Sequence, residues 1–461
     1  MTIWIPDIVE RPGPKYRAIA AAIADDIAEG RLAPGAKLPP QRDLSWRLGV
    51  TVGTISRAYT EAERQGLVRG EVGRGTYVLR PGLREGFPMR ADQSADDIDL
   101  SLSFPAPGDE GDYIGDTLRR MADDPGSVDF LDYQSPAGNL RHRAAGAAWL
   151  STTGVHVDAD GVVITSGGQN GILVAFSALA QAGDHILTEE LTFPGVKSVA
   201  TMLGLRVQGL PIDEHVVIPE ALENACRTQN YRFLYLIPTI HNPTARVMPP
   251  ERRAALADVA QRHNLMIVED DIAARCIVNP PAPIATLMPE NTVYLTSLSK
   301  AVAPGLRIGY LSAPPDLLKR QASIVGASAW MATPISAELA TRWIEDGTAE
   351  KILDSRRAEA IARFKLATAK LGHNSISATP GCHHIWLTLP EPWRATDYTE
   401  EAKRRGIVIA PAEIFAAGRS NAPHAVRICI GMPRQRKKLD YALDVLAEIL
   451  LSHNMRDIAM V

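Results

Sequence analysis

Lys300 closes the run Thr296-Ser297-Leu298-Ser299-Lys300, and Ala301-Val302-Ala303-Pro304-Gly305-Leu306-Arg307 follows it. A lysine in so apolar a frame is poorly placed to be a solvated surface charge. Its amine is a nucleophile once it has shed its proton. Upstream, Ser166-Gly167-Gly168-Gln169 comes after the apolar run Val162–Thr165 and opens a helix-like stretch. The backbone N–H groups of such a turn can face an anion, and a glycine pair there serves an ordinary tight turn equally well. Asp270 and Asp271 end another apolar run, Leu265–Val268. Arg427 sits inside Ala-Val-Arg-Ile-Cys-Ile. A guanidinium in an apolar strand needs an anionic partner, either a ligand or an internal carboxylate. The chain therefore offers an amine, an anion-binding turn, a carboxylate and a buried cation, spread over some 260 residues.

Bringing them together is the task of an alternating pattern of strands and helices that starts near Asp99. Strands are expected at Val162–Thr165, His185–Thr188, Phe233–Ile237, Leu265–Val268, Val293–Thr296 and Ile308–Leu311. Most are short continuous apolar runs, as in strands buried on both faces. Helical patterns such as Pro250–His263 separate several of them. The expectation is an α/β domain with a doubly wound sheet over residues 99–461, with a smaller C-terminal subdomain from about residue 320.

The first 80 residues read differently. Tyr16, Ile19, Ala20, Ile23 and Ile27 recur at helical spacing, and the helix stops near Gly30. A second helix fits Gln41–Leu48, ending at Gly49. A third fits Thr51–Gln65, with Thr51 as its N-cap and Gly66 as its end. Leu67–Arg69 and Thr76–Leu79 then flank Gly73-Arg74-Gly75 as a hairpin. Residues 81–98, polar with Pro and Gly, read as a linker. From Lys37 to Arg80 eight Lys/Arg face four Asp/Glu, a net +4 within a chain of formal net charge −4. That asymmetry points to a polyanionic partner.

The stretch KLPPQRDLSWRLGVTVGTISRAYTEAERQGLVRGEVGRGTYV closely resembles the GntR-type winged helix-turn-helix, and the likeness covers most of residues 13–80. It implies binding to an operator in double-stranded DNA. Thr51, Thr54, Ser56 and Arg57 would lie on the third helix in the major groove, Lys37 and Arg42 on phosphates, and Arg74 at the wing tip in a minor groove. Val52-Gly53 stands where many relatives carry Arg-Thr, so the base contacts of those relatives do not carry over.

YQSPAGNLRHR, TSGGQNG, EELTFPGV, PTIHNPT, IVEDD, SLSKAVAPGLRIGY and AVRICIG, in this order, resemble fold-type I aminotransferases over about residues 100–440. A winged helix joined to such a domain resembles the MocR subgroup of GntR regulators. The resemblance implies pyridoxal 5'-phosphate on Lys300. Its phosphate would lie among Gly167, Gly168, Gln169, Ser297, Ser299 and Arg307. Asp270, or alternatively Asp271, would face its ring nitrogen, Asn242 its ring hydroxyl and Phe193 its ring face. Arg427 would hold a substrate carboxylate. Tyr133 matches a tyrosine that reaches the partner subunit's phosphate in a homodimer, and is otherwise a core tyrosine. Ile272, Ala273 and Ala274 stand where the family has a tyrosine donor to the ring oxygen. Losing that bond would cost ~1 kcal/mol of cofactor affinity and bears on turnover more than on binding. The implied function is a transcriptional regulator that answers to an amino compound or a B6 vitamer. The second reading is an active aminotransferase with an appended DNA-binding head, and the third a cofactor-free scaffold.

Composition narrows the setting. Cys226, Cys276, Cys382 and Cys429 lie far apart with no zinc spacing, so neither a metal site nor a disulfide framework is expected. The longest apolar run, about ten residues from Gly171 to Ala180, falls well short of the ~20 needed for a membrane span. The N-terminus has no basic region followed by an apolar core. A reduced, cytoplasmic setting is expected.

Overall fold

In the computed structural model the first apolar stripe forms the helix Lys15–Ala28, and its residues Ile19 and Ile23 are completely buried. They meet Leu38, Leu44, Ile55 and Tyr59 in a small core of their own. The second helix, Gln41–Leu48, stops at Gly49, whose φ of 61° is left-handed and suits glycine. The third, Val52–Arg64, is capped by Thr51, whose Oγ1 accepts from Thr54 N at 3.2 Å. Val68–Glu71 and Gly75–Val78 pair antiparallel, and Lys37 bridges to Tyr77 beside them. Three helices and a two-stranded wing result, as the spacing predicts.

The structure describes residues 4–8, 11, 13–33, 36–64, 67–71, 75–78, 97–372, 375–418, 420 and 422–458. Arg74 at the wing tip and residues 81–96 of the expected linker lie outside them. The chain divides into two compact units, residues 1–85 and 86–461. Among the described residues no helix is long and apolar enough to cross a membrane.

The larger unit is built on a seven-stranded sheet in the spatial order Val163–Thr165, Gly309–Ser312, Thr292–Ser297, Met266–Asp270, Phe233–Leu236, His185–Glu189 and Arg206–Leu210. Gly309–Ser312 runs antiparallel to both of its neighbours, and the other pairings are parallel. Six of these strands are those expected from continuous apolar runs. The seventh, Arg206–Leu210, is an edge strand whose residues alternate between exposed and part-buried up to Leu210, so its apolar signal is half as dense. Helices such as Gly168–Leu179 and Pro250–Arg262 connect the strands.

The helix Thr348–Leu371 has 24 residues and serves two cores. Ile352 and Leu353 pack with residues beside the large sheet, whereas Ala367 and Leu371 pack with the C-terminal strands and the last helix. Those strands form a four-stranded antiparallel sheet in the order Ile376–Ser377, Ile385–Thr388, Ala425–Ile428, Ala410–Pro411. Ile98–Asp99, at the end of the expected linker, already pairs as a strand with Ile407–Val408. The carboxyl ends of the parallel strands, where ligands of such sheets bind, carry Asp270 and lead into the turn at Lys300.

Candidate functional site

The strand Thr292–Ser297 is buried throughout and runs directly into a short helix, Leu298–Ala301. Ser297 caps that helix: its Oγ accepts from Ser299 N at 3.2 Å and donates to the Ile308 carbonyl at 2.8 Å. The turn is thereby fixed, and Lys300 is aimed inward, where its Nζ donates to the Ser103 carbonyl. Burial lowers the pKa of this amine to about 8, with Arg427 and Arg307 pushing in the same direction.

Arg307 follows in a left-handed conformation, φ 53°. Its guanidinium has only long contacts, to Ser299 Oγ at 3.4 Å and to the Pro304 and Ser166 carbonyls at 3.5 Å. Gly167 lies against it; a Cβ there would stand 2.6 Å from Arg307 Nη2, and Gly167 itself has φ 81°. Gly168 then opens the 12-residue helix Gly168–Leu179. Gln169 Nε2 donates to the Gly195 carbonyl at 3.1 Å, while its buried Oε1 has no hydrogen-bond partner among the described residues. Phe193, just before the helix Pro194–Met202, bends back over Gly195, where the absence of a side chain leaves room for its ring.

Asp270 ends its strand with Oδ2 accepting from the Tyr235 hydroxyl at 2.5 Å and Oδ1 from Ile272 N at 3.3 Å. Burial raises its pKa to about 6, and the charge of Lys300 draws it the other way. Asp271 is committed elsewhere. It accepts from the Tyr294 hydroxyl at 2.9 Å and feels the charge of Arg253. The two neighbours thus differ in partners: Asp270 meets Tyr235 and the charge of Lys300, Asp271 meets Tyr294 and the charge of Arg253.

Arg427 is 4% exposed. Nη1 donates to Asn242 Oδ1 at 2.6 Å and Nη2 to the Ser101 carbonyl at 2.5 Å, its ring neighbour is Phe415 at 4.7 Å, and its buried Nε has no oxygen partner among the described residues. Among the described residues no carboxylate pairs with it, so the internal salt bridge open from the sequence is not formed. Tyr133 corrects a second expectation. It is 82% exposed, with its ring tilted against Trp330 at 5.4 Å between centroids, so it is no core tyrosine.

In the head, Thr51 and Arg57 are exposed and Thr54 and Ser56 part-exposed on the third helix. The Thr51 and Thr54 hydroxyls bond each other at 2.9 Å. Lys37, exposed, lies over the Tyr77 ring at 5.7 Å, and Arg42 is exposed on the second helix.

Residues 110–446 match the family Aminotransferase class I and II, and residues 15–78 match Bacterial regulatory proteins, gntR family. The chain is 30% identical to the HTH-type transcriptional regulator YdeF of Bacillus subtilis, over 97% of this chain and 96% of that one. The chain belongs to the MocR family of GntR-type transcriptional regulators. Another member, the pyridoxine biosynthesis regulator PdxR of Corynebacterium glutamicum, is 26% identical over 65% of this chain and 66% of its own. Among solved structures, the α-aminoadipate aminotransferase LysN of Thermus thermophilus, complexed with N-(5'-phosphopyridoxyl)-L-leucine, shares the fold with a TM-score of 0.70 at 22% identity, covering 80% of this chain and 94% of that one.

Several residues around the site of this MocR regulator escape a sequence reading. Tyr235 hides in the apolar strand Phe233–Leu236, and Ser101 and Ser103 act through backbone carbonyls that no side chain betrays. His383 and His384 carried a legible signal, being two polar rings leading into an apolar strand. His383 Nε2 lies 2.7 Å from Ser103 Oγ. Burial, then the neighbouring His384, Lys300 and Arg427, drives the His383 pKa well below the usual value, so it is neutral. Trp46, 83% exposed on the second helix between Arg42 and Arg47, is a surface aromatic on the head that charge counting passes over.

Proposed function

We propose that this regulator holds pyridoxal phosphate on Lys300, and that an amino compound or a B6 vitamer bound there governs how its winged helix binds an operator in double-stranded DNA. The observation that carries the reading is a group of cations without counter-ions. Lys300 feels the charges of Arg427 and Arg307, and none of the three forms a salt bridge among the described residues. Cations so arranged, with Arg427 buried, Lys300 part-buried and Arg307 exposed beside them, are stabilised by an anionic ligand.

The residues fit the cofactor. A phosphate suits the turn where Gly167 leaves Arg307 its space and where the N–H groups of Gly168 and Gln169 begin a helix. The buried carboxylate of Asp270, which forms no salt bridge among the described residues, suits a protonated ring nitrogen. Bound there, the group supplies an electrophilic carbonyl and an electron sink. The chain supplies the rest. Lys300 presents an amine that is neutral in good part near pH 8. Ser299 and Arg307 donate to the phosphate, while Ser297 positions the turn. Asn242 and Phe193 bear on the ring, and Arg427 meets the carboxylate of an amino acid. Tyr133, exposed on its own subunit, would serve a second copy, which supports a homodimer with two heads reading paired half-sites. Lys37, Arg42, Thr51, Thr54, Ser56, Arg57 and Arg74 are assigned to DNA, and the setting is cytoplasmic.

A working aminotransferase is the second reading, favoured by Lys300 lying where its charge reaches Asp270. It is opposed by Ile272, which offers no hydroxyl donor, and whose Cδ1 packs against Gly168.

The test compares binding of the full chain to DNA upstream of its own gene and to random duplex at matched salt, with and without pyridoxal phosphate and a panel of amino acids. Preference for the upstream DNA that a ligand shifts supports the regulator. Equal binding to both duplexes defeats it, and steady conversion of an amino donor and a keto acid would promote the enzyme.

A further inference from the structure

The two cations that would meet the ligand hold the same piece of backbone. Lys300 Nζ donates to the Ser103 carbonyl, and Arg427 Nη2 donates to the Ser101 carbonyl at 2.5 Å. Asp99 Oδ1 accepts from both Ser101 N and Ser101 Oγ, at 2.8 and 2.7 Å, and His383 pins the Ser103 hydroxyl. The strand just before this segment is tied to the C-terminal subdomain through Ile98 N to Gly406 O at 2.8 Å and Leu100 N to Val408 O at 2.7 Å. In sequence the described chain resumes at Asp97, four residues before the segment, after Val78, the last described residue of the DNA-binding head.

We propose that Ser101–Ser103 is a latch read by the carboxylate of an amino-acid ligand: Arg427 holds the Ser101 carbonyl only while no carboxylate competes for it. This rests on the pyridoxal phosphate reading of the same site. A backbone carbonyl is a neutral acceptor, whereas a carboxylate makes charge-assisted bonds about twice as strong and matches the guanidinium fork. Among the described residues the buried Nε of Arg427 has no oxygen partner, and a carboxylate could take it. Once the fork has turned, the Ser101 carbonyl is left without its donor at a residue 6% exposed. A buried orphan carbonyl must find another partner, so the segment moves toward water. The Ser103 end stays held by His383. A cofactor without an amino-acid carboxylate leaves the Ser101 end closed, and the two classes of ligand are distinguished at the segment from which the chain runs back to the head.

The test uses the full chain freed of cofactor and two stable reduced adducts, phosphopyridoxyl-L-alanine and phosphopyridoxyl-ethylamine, which differ only by the carboxylate. Retention of each adduct after gel filtration reports binding, and amide hydrogen exchange reports residues 98–104. With the alanine adduct these amides are expected to exchange about tenfold faster than with the ethylamine adduct, the effect of losing one charged hydrogen bond. In Arg427→Met both adducts should give the same fast exchange. If wild-type protein retains both adducts yet residues 98–104 exchange alike, or more slowly with the alanine adduct, the latch is overturned. If neither adduct is retained, the cofactor reading itself falls, and the latch with it.

Discussion

At the scale of single residues, the site is a place where burial displaces two ionisations toward one another. Lys300 is brought down to about 8 and Asp270 up to about 6. Uptake of pyridoxal phosphate needs the neutral amine, so its rate should climb with pH and level off above about 8. Arg427→Met removes a neighbouring cation and should move that midpoint upward; stopped-flow absorbance from pH 6 to pH 9.5 reads both. The Asp270 shift also bears on stability. The folded chain holds this proton up to about pH 6, whereas the unfolded chain releases it near 3.8. Stability from this group is thus full at low pH and falls as pH rises through that window. Asp270→Asn should therefore stabilise the cofactor-free protein at pH 7 by up to about 3 kcal/mol and have little effect at pH 4, while weakening cofactor binding. Thermal unfolding at the two pH values tests the sign. Lys300, Asp270 and Arg427 were legible beforehand because a charge inside an apolar run is costly to bury unless a ligand or a counter-charge meets it. Ser101 and Ser103 were not, because they meet the two cations through the carbonyl that every residue has. Tyr133 could be read as buried or exposed from its type alone, and only the fold decides.

At the scale of elements, the alternating runs specified six strands of the large sheet because strands covered on both faces must be apolar at every position. Arg206–Leu210 lies at the edge, covers half as much apolar surface, and left no such mark. Ile98–Asp99 was lost in a polar stretch because two residues are too few to show a period. The recognition helix was legible through its caps. Thr51→Ala removes the bond from Thr54 N and should lower the stability of the head by about 1 kcal/mol, seen as an earlier unfolding transition of the full chain. The turn before Gly168–Leu179 is more exacting. Gly167→Ala would put a Cβ at a positive φ and 2.6 Å from Arg307 Nη2. Cofactor affinity should fall by about tenfold or more while far-UV circular dichroism stays unchanged, as titration of the cofactor-free protein would show.

At the scale of the whole molecule, a small basic head and a large ligand-binding unit sit in one chain of 461 residues with a formal net charge of −4. Such a chain is not a general polycation, and its attraction to DNA must come from the head. Arg57→Ala should weaken operator binding and flatten its dependence on log salt by about one unit if the contact is to phosphate, or relax sequence preference if it is to a base. Anisotropy titrations over a range of salt separate the two. The central claim is that Lys300 carries the cofactor, and the most direct measurement is the absorption spectrum of purified protein reconstituted with pyridoxal phosphate and freed of excess. The account predicts a yellow protein whose band is absent from Lys300→Ala prepared in the same way. A wild-type preparation that stays colourless, or an identical band in the variant, would contradict it.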